Sequence, residues 1–202
     1  MKRWRQDPEG VRTAILKAAR ERFAEKGVAG TSLQQIATAA GVTKSLINHH
    51  FGSKAKLFDA VRGDMFRDYF EAQRHLILSK RSDLDVIAES LRTYFAFLKK
   101  NQDVVRMAAW MGLEQAASFE DHSEGLTEFG VQRIQKAQEE GLIRDDVHGF
   151  YILASMWTLI EHWFLARRDY LARYYTEIDL DRADAEYLES IVNIMLDGIR
   201  PK

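Results

Sequence analysis

Cysteine is absent from the 202 residues. Disulfides, thiolate zinc sites and cysteine nucleophiles are therefore excluded. The absence fits a reducing compartment, and the expected location is the cytoplasm. Proline is almost as scarce. Pro8 and Pro201 are the two present, so nothing between them forbids a helix. Long apolar runs are missing as well. The longest, about 150–160, is interrupted by Ser155 and Thr158 and stopped by Glu161, which is too short to span a bilayer. The opening segment MKRWRQDPEG is basic but lacks the apolar core of a signal peptide, so no membrane partner is expected.

Patterns for chemistry are wanting too. The histidines, at 49, 50, 75, 122, 148 and 162, form no HxxxH or ExxH pair of the kind that holds metals in helical bundles. Asp145 and His148 have helical spacing, but one such pair reads as surface. There is no phosphate-cradling glycine loop and no nucleophile elbow. No catalytic residue, metal or cofactor is assigned, and the chain is not expected to be an enzyme.

What is present is a helical pattern from end to end. Hydrophobic residues make up 46% and charged residues 29%, ordinary for a globular protein. The net charge of −1 hides an asymmetry. Residues 1–67 carry 13 Lys/Arg against 6 Asp/Glu, and residues 68–202 carry 16 against 24. A basic N-terminal third favours a polyanion, and an acidic remainder avoids one. Lys2, Arg3 and Arg5 around Trp4 could form an arm for phosphates or a minor groove, or a frayed terminus.

Asp7-Pro8-Glu9 begins a helix with a cap acceptor, a first-turn proline and an acid at the positive end of the dipole. Val11, Ile15, Leu16, Ala19 and Phe23 repeat on one face, and Gly27 stops the run. Thr31 with Gln34, or Ser32 with Gln35, can form a capping box for a short second helix. Gly41 closes that helix in a left-handed turn, and Thr43 caps a third. Ala37, Gly41 and Ile47 make a helix-turn-helix: a small residue at the crossing, a glycine at the turn, a β-branched plug between. The outward face of the third helix offers Thr43, Lys44, Ser45, Leu46, Asn48 and His49 to a major groove. Thr31, Ser32, Thr43 and Lys54 are placed for phosphates at helix N-termini.

Phe23, Gly27, Thr31-Ser32-Leu33, Ile36-Ala37, Ala40-Gly41-Val42-Thr43-Lys44, His50-Phe51, Ser53-Lys54 and Leu57-Phe58 follow one another without gaps. In this stretch the chain resembles the TetR family of bacterial transcription regulators. It departs where members carry a tyrosine that touches the DNA backbone: Asn48 stands there, with Leu46 and His49 beside it. Operator preference does not transfer by analogy.

The expected fold is all-α with about nine helices. Residues 1–55 are read as the three-helix reader and 56–202 as a helical ligand-binding and dimerisation domain. Helices are expected from Ser53 to about Leu78, from Ser82-Asp83 onward, from Asp103 to about Ser118 and from Leu126 to Glu140. Two more start at Asp145-Asp146 and Arg182, with a loop at His122–Gly125. The helix after Asp145 is apolar around much of its girth, which predicts burial on several sides. The resemblance implies pairing of the last two helices with their copies, and a small-molecule pocket. Phe95, Met107, Trp110 and Met111 are its candidates, with Tyr151, Trp157 and His162. Any one of them is equally plain core until placed.

The functional expectation is a ligand-responsive, homodimeric repressor. It would bind a palindromic operator in double-stranded DNA and leave it on binding a small hydrophobic or aromatic effector. Two other readings stand beside it: a DNA-bound adaptor of the same fold without an inducer, and a helical enzyme or carrier.

Overall fold

The computed structural model describes residues 7–114 and 125–201. Among them are nine helices and no strand. They are α1 (Pro8–Lys26), α2 (Leu33–Ala40), α3 (Lys44–Phe51), α4 (Lys54–Ile77), α5 (Asp83–Lys100), α6 (Gln102–Leu113), α7 (Leu126–Glu139), α8 (Gly149–Ala172) and α9 (Leu180–Ile199). The basic arm, the end of the expected helix at 115–118 and the loop residues at 122–124 lie outside the described residues.

Local chemistry sets most boundaries. Asp7 accepts from the Gly10 amide at 2.8 Å and starts α1. Ser82 caps α5 by accepting from the Asp85 amide at 3.2 Å. Two starts differ from expectation. At α8 the cap is His148, whose Nδ1 accepts from the Phe150 amide at 3.2 Å. Asp146 instead binds Arg144 at 2.5 and 2.8 Å, so the acidic pair does not open the helix. At α9 Asp179 accepts from the amides of Asp181 and Arg182, both at 3.1 Å, which moves the start ahead of Arg182.

The helices divide into two compact units. One holds α1, α2, α3, α4 through Arg67, and α6; the other holds α4 from Asp68, α5, α7, α8 and α9. The division therefore falls inside α4 and not at residue 55. Leu57, Phe58, Val61 and Met65 are buried in the first unit, and Phe58 meets Phe23 of α1 edge-on at 5.1 Å.

In the first unit, Val11, Ile15, Ala19 and Phe23 of α1 are buried with Ile36, Ala37 and Ile47. Helices of eight residues are unstable alone, and this shared core holds α2 and α3. Arg20 of α1 binds Asp103 of α6 through both its Nε and its Nη2, the latter at 2.9 Å. Burial pushes the Asp103 carboxyl up, but the hydrogen bond and charge of Arg20 outweigh it and hold the group below its ordinary value.

In the second unit, α8 packs Ile152, Met156, Ile160 and Phe164 inward, and Phe164 meets Phe95 of α5 at 4.7 Å. Trp163 of α8 stacks on Tyr187 of α9 at 4.0 Å and donates to the buried Asp184 at 2.9 Å. The burial of α8 on several sides is not what this chain alone provides. Phe150, Tyr151, Leu159, Leu165 and Tyr170 stay exposed on it, as does Ile194 on α9.

Candidate nucleic-acid interface

Ser32 has the extended backbone of a cap. Its hydroxyl accepts from the Gln35 amide at 3.2 Å while Gln35 Oε1 accepts from the Ser32 amide at 2.8 Å. The capping box is thus built on Ser32 and Gln35. Gly41 ends α2 at φ 67° and ψ 29°, a left-handed conformation that disfavours side chains. Thr43 then caps α3 by accepting from the Leu46 amide at 3.2 Å. Both helix starts carry an exposed hydroxyl residue, and neither has an acid in its first turn.

The inner face of α3 is Ile47 and Phe51, both buried, with the Arg12 guanidinium over the Phe51 ring at 5.6 Å. The outer face presents Thr43, Lys44, Ser45, Asn48 and His49, all exposed. Leu46 is half-buried, so only part of it faces outward.

Two residues expected at phosphates serve elsewhere. Thr31 is 2% exposed, and its hydroxyl donates to the carbonyls of Gly27 at 2.7 Å and Arg22 at 3.1 Å. It stitches the end of α1 and has no surface to offer DNA. Lys54 is half-buried, and its ammonium donates to the carbonyls of Val28 at 2.7 Å and Thr31 at 2.9 Å. Two of its three protons are spent within the fold, so its first role is to fasten the α1–α2 connection.

The ligand candidates are not brought together. Met107 and Met111 line a cleft of about 180 Å³ with Arg62, Met65, Phe66, Val104 and Ala108, all within the first unit. Trp110 lies outside that lining and packs at Gly27, where an added Cβ would sit 3.1 Å from its ring. Phe95 is core in the second unit, and Trp157 is half-buried there. Tyr151 is 63% exposed. His162 is exposed and bonds Tyr170 Oη at 2.7 Å. These last two are corrected from pocket anchors to surface groups of α8. Sequence reasoning missed Arg62, Met65, Phe66, Val104 and Ala108, although 62/65/66 and 104/107/108/111 are helical-face spacings that pair across one cleft.

Comparison with known proteins gives the class. The family described as bacterial regulatory proteins, tetR family, matches residues 15–61, and a tetracyclin repressor-like C-terminal domain matches residues 87–192. The chain belongs to the TetR family of bacterial transcriptional regulators. It is 28% identical over 206 residues to the HTH-type transcriptional repressor NicS of Pseudomonas putida, covering 96% of this chain and 95% of that one. Among solved structures, a TetR family regulator from Marinobacter aquaeolei superposes with a TM-score of 0.74 at 18% identity, covering 98% and 100% of the two chains. AibR, in complex with isovaleryl coenzyme A and operator DNA, gives 0.64 at 19%, covering 91% and 97%. Among the described residues no helix is long and apolar enough to cross a membrane.

Proposed function

We propose that the chain is a cytoplasmic, homodimeric repressor that leaves a palindromic operator when a small apolar effector binds. The observation that carries the DNA half is the outer face of α3, polar, basic and exposed from Thr43 to His49 while Ile47 and Phe51 anchor its back. Lys44 meets a phosphate or a guanine edge, Asn48 an adenine or a phosphate, and Ser45 and His49 adjoining groups. Ser32 and Thr43 hold phosphates at the two helix starts, and the outward part of Leu46 takes a thymine methyl. Lys54 has one ammonium proton left for a phosphate beside its two carbonyls.

Dimerisation runs through α8 and α9, whose Phe150, Leu159, Leu165 and Ile194 have no cover within the described chain. Two copies of α3 then reach successive major grooves roughly 34–36 Å apart. AibR, with its acyl thioester and operator DNA, supports a regulator that couples ligand to DNA. An effector shifts operator affinity only by its differential affinity for the free and bound states.

The test begins with selection of genomic fragments on the immobilised protein, followed by anisotropy titrations of the recovered duplex at several salt concentrations. Each neutralised phosphate contributes a log–log slope of roughly −0.9. A salt-independent affinity, or no selected duplex, removes the reading.

A further inference from the structure

The cleft between α4 and α6 lies wholly inside the unit that carries α3. Its walls are two helix faces, Arg62, Met65 and Phe66 on α4 and Val104, Met107, Ala108 and Met111 on α6. Its volume of about 180 Å³ decides what fits. An apolar protein cavity of about 150 Å³ holds benzene, whereas pockets for drug-sized ligands run to roughly 300–1,000 Å³. One ring with a small substituent fills the cleft, while two fused rings or an acyl coenzyme A exceed it.

The lining selects for the same shape. Three methionines and a phenylalanine meet there, and thioether sulfur against an aromatic ring is a favourable contact. Arg62 is the one charged residue of the lining, and its Nη1 stands 3.7 Å from Asp59 Oδ1 on the same helix. With that charge already matched, a neutral ring suits the cleft better than an anion.

Both walls are also fastened to the reader. On α6, Asp103 binds Arg20 of α1, and beyond its last turn Glu114 Oε1 accepts from the Ala29 amide at 3.1 Å. On α4, Phe58 packs on Phe23 of α1. A ring wedged between the walls therefore strains the core that seats α3.

We propose that this cleft binds a neutral, single-ring aromatic molecule and, resting on the ligand-responsive reading above, that this is where the effector acts. Toluene is the probe, titrated calorimetrically into the full-length protein, with naphthalene and benzoate as comparators. The expected result is saturable binding of toluene at one site per chain, with benzoate and naphthalene at least about tenfold weaker. Ala108→Phe fills the cleft and weakens toluene at least about tenfold. Met111→Ala enlarges it and shifts the preference toward naphthalene by a similar factor, a gain that misfolding cannot mimic. Three results overturn the site: no toluene binding up to its solubility, an unchanged preference in Met111→Ala, or tighter benzoate than toluene. The selected duplex separates the two readings. Duplex binding without toluene binding removes the cleft and keeps the repressor. Toluene binding in a chain that selects no duplex keeps the cleft and removes the repressor.

Discussion

Arg167 of α8 donates through Nη1 to both carboxylate oxygens of Asp184 of α9, at 2.5 and 2.7 Å, and Asp184 is only 2% exposed. Trp163 donates to the same carboxylate, and Lys99 of α5 stands 3.5 Å from it. The ion pair thus ties α8 to α9 from inside. Removing one partner leaves a buried charge without its match, which costs about 3–5 kcal/mol. Asp184→Ala is expected to lose that much in urea unfolding. Asp181→Ala, which breaks only the exposed Lys99–Asp181 pair at 2.7 Å, should cost less than about 1 kcal/mol. Equal losses in the two variants would show that burial does not set the value of this network.

Thr31 and Lys44 separate folding from binding. The Thr31 hydroxyl is spent on two carbonyls at the end of α1. Thr31→Val should therefore lower stability by about 1–3 kcal/mol, the cost of buried acceptors left without a donor. It should leave the salt slope of operator binding unchanged. Lys44 is exposed on the outer face of α3, so Lys44→Ala should leave the unfolding midpoint unchanged. If it meets a phosphate, the log–log salt slope falls by roughly 0.9. The pair is checked by measuring both quantities on both variants; a slope change in Thr31→Val would return that residue to the interface.

This contrast marks the limit of what the sequence discloses. Cap chemistry at Asp7, Gly41 and Thr43 is local, and it is legible because acceptor and amide lie within a few residues. The choice between Thr31 and Ser32 is not legible, since both head an S/T-x-x-Q pattern. The decision comes from α1, whose Gly27 and Arg22 carbonyls take the Thr31 hydroxyl. Asp184 is hidden for the same reason. It interrupts the apolar face of α9, and its partners Trp163 and Arg167 sit on another helix. The membership of α6 in the reader's unit rests on Arg20 and Asp103, which lie 83 residues apart, a pairing that no periodicity announces. The cleft shows as helical spacing on each wall, but which walls face each other is a property of the fold.

Gly27 tests the junction between α1 and α6. Its φ of 69° with ψ of −179° falls in a region essentially reserved for glycine. An added Cβ would also sit 2.1 Å from Glu114 Oε1 and 3.1 Å from the Trp110 ring. Gly27→Ala should cost about 1–3 kcal/mol from the backbone alone. Adding Glu114→Ala relieves the clash but not the backbone, so the double variant should recover only part of the loss in urea titrations. Full recovery would assign the whole cost to the clash.

Glu161 gives a pH dependence with a defined sign. Burial pushes its carboxyl above the ordinary 4.5, and the hydrogen bond from Tyr94 offsets this only in part. Between 4.5 and the raised folded value, the native chain holds a proton that the unfolded chain has lost. The Glu161 contribution to stability therefore declines as pH rises through that window and is constant above it. Glu161→Gln keeps an oxygen for Tyr94 and removes the titration. The stability of the variant relative to the parent should rise from pH 4.5 upward and then level off. A difference that is flat with pH would show that burial of this carboxyl does not shift its ionisation.

The exposed apolar residues of α8 and α9 predict the behaviour of the assembly. Leu165 is 54% exposed and Ile194 67% exposed, so neither contributes much to the core of its own chain. A charge at either should leave the isolated fold intact, because exposed sites away from special features change stability by no more than about 0.5 kcal/mol. In a dimer the same charge would be buried without a partner at the interface centre, which costs several kcal/mol. Leu165→Glu and Ile194→Glu are therefore expected to sediment as monomers at micromolar concentration with unchanged helical circular dichroism. Their affinity for the selected duplex should fall toward that of a half-site, because one copy of α3 then binds without its twin. If both variants remain dimeric, α8 and α9 do not form the interface, and the exposed apolar face awaits a different partner.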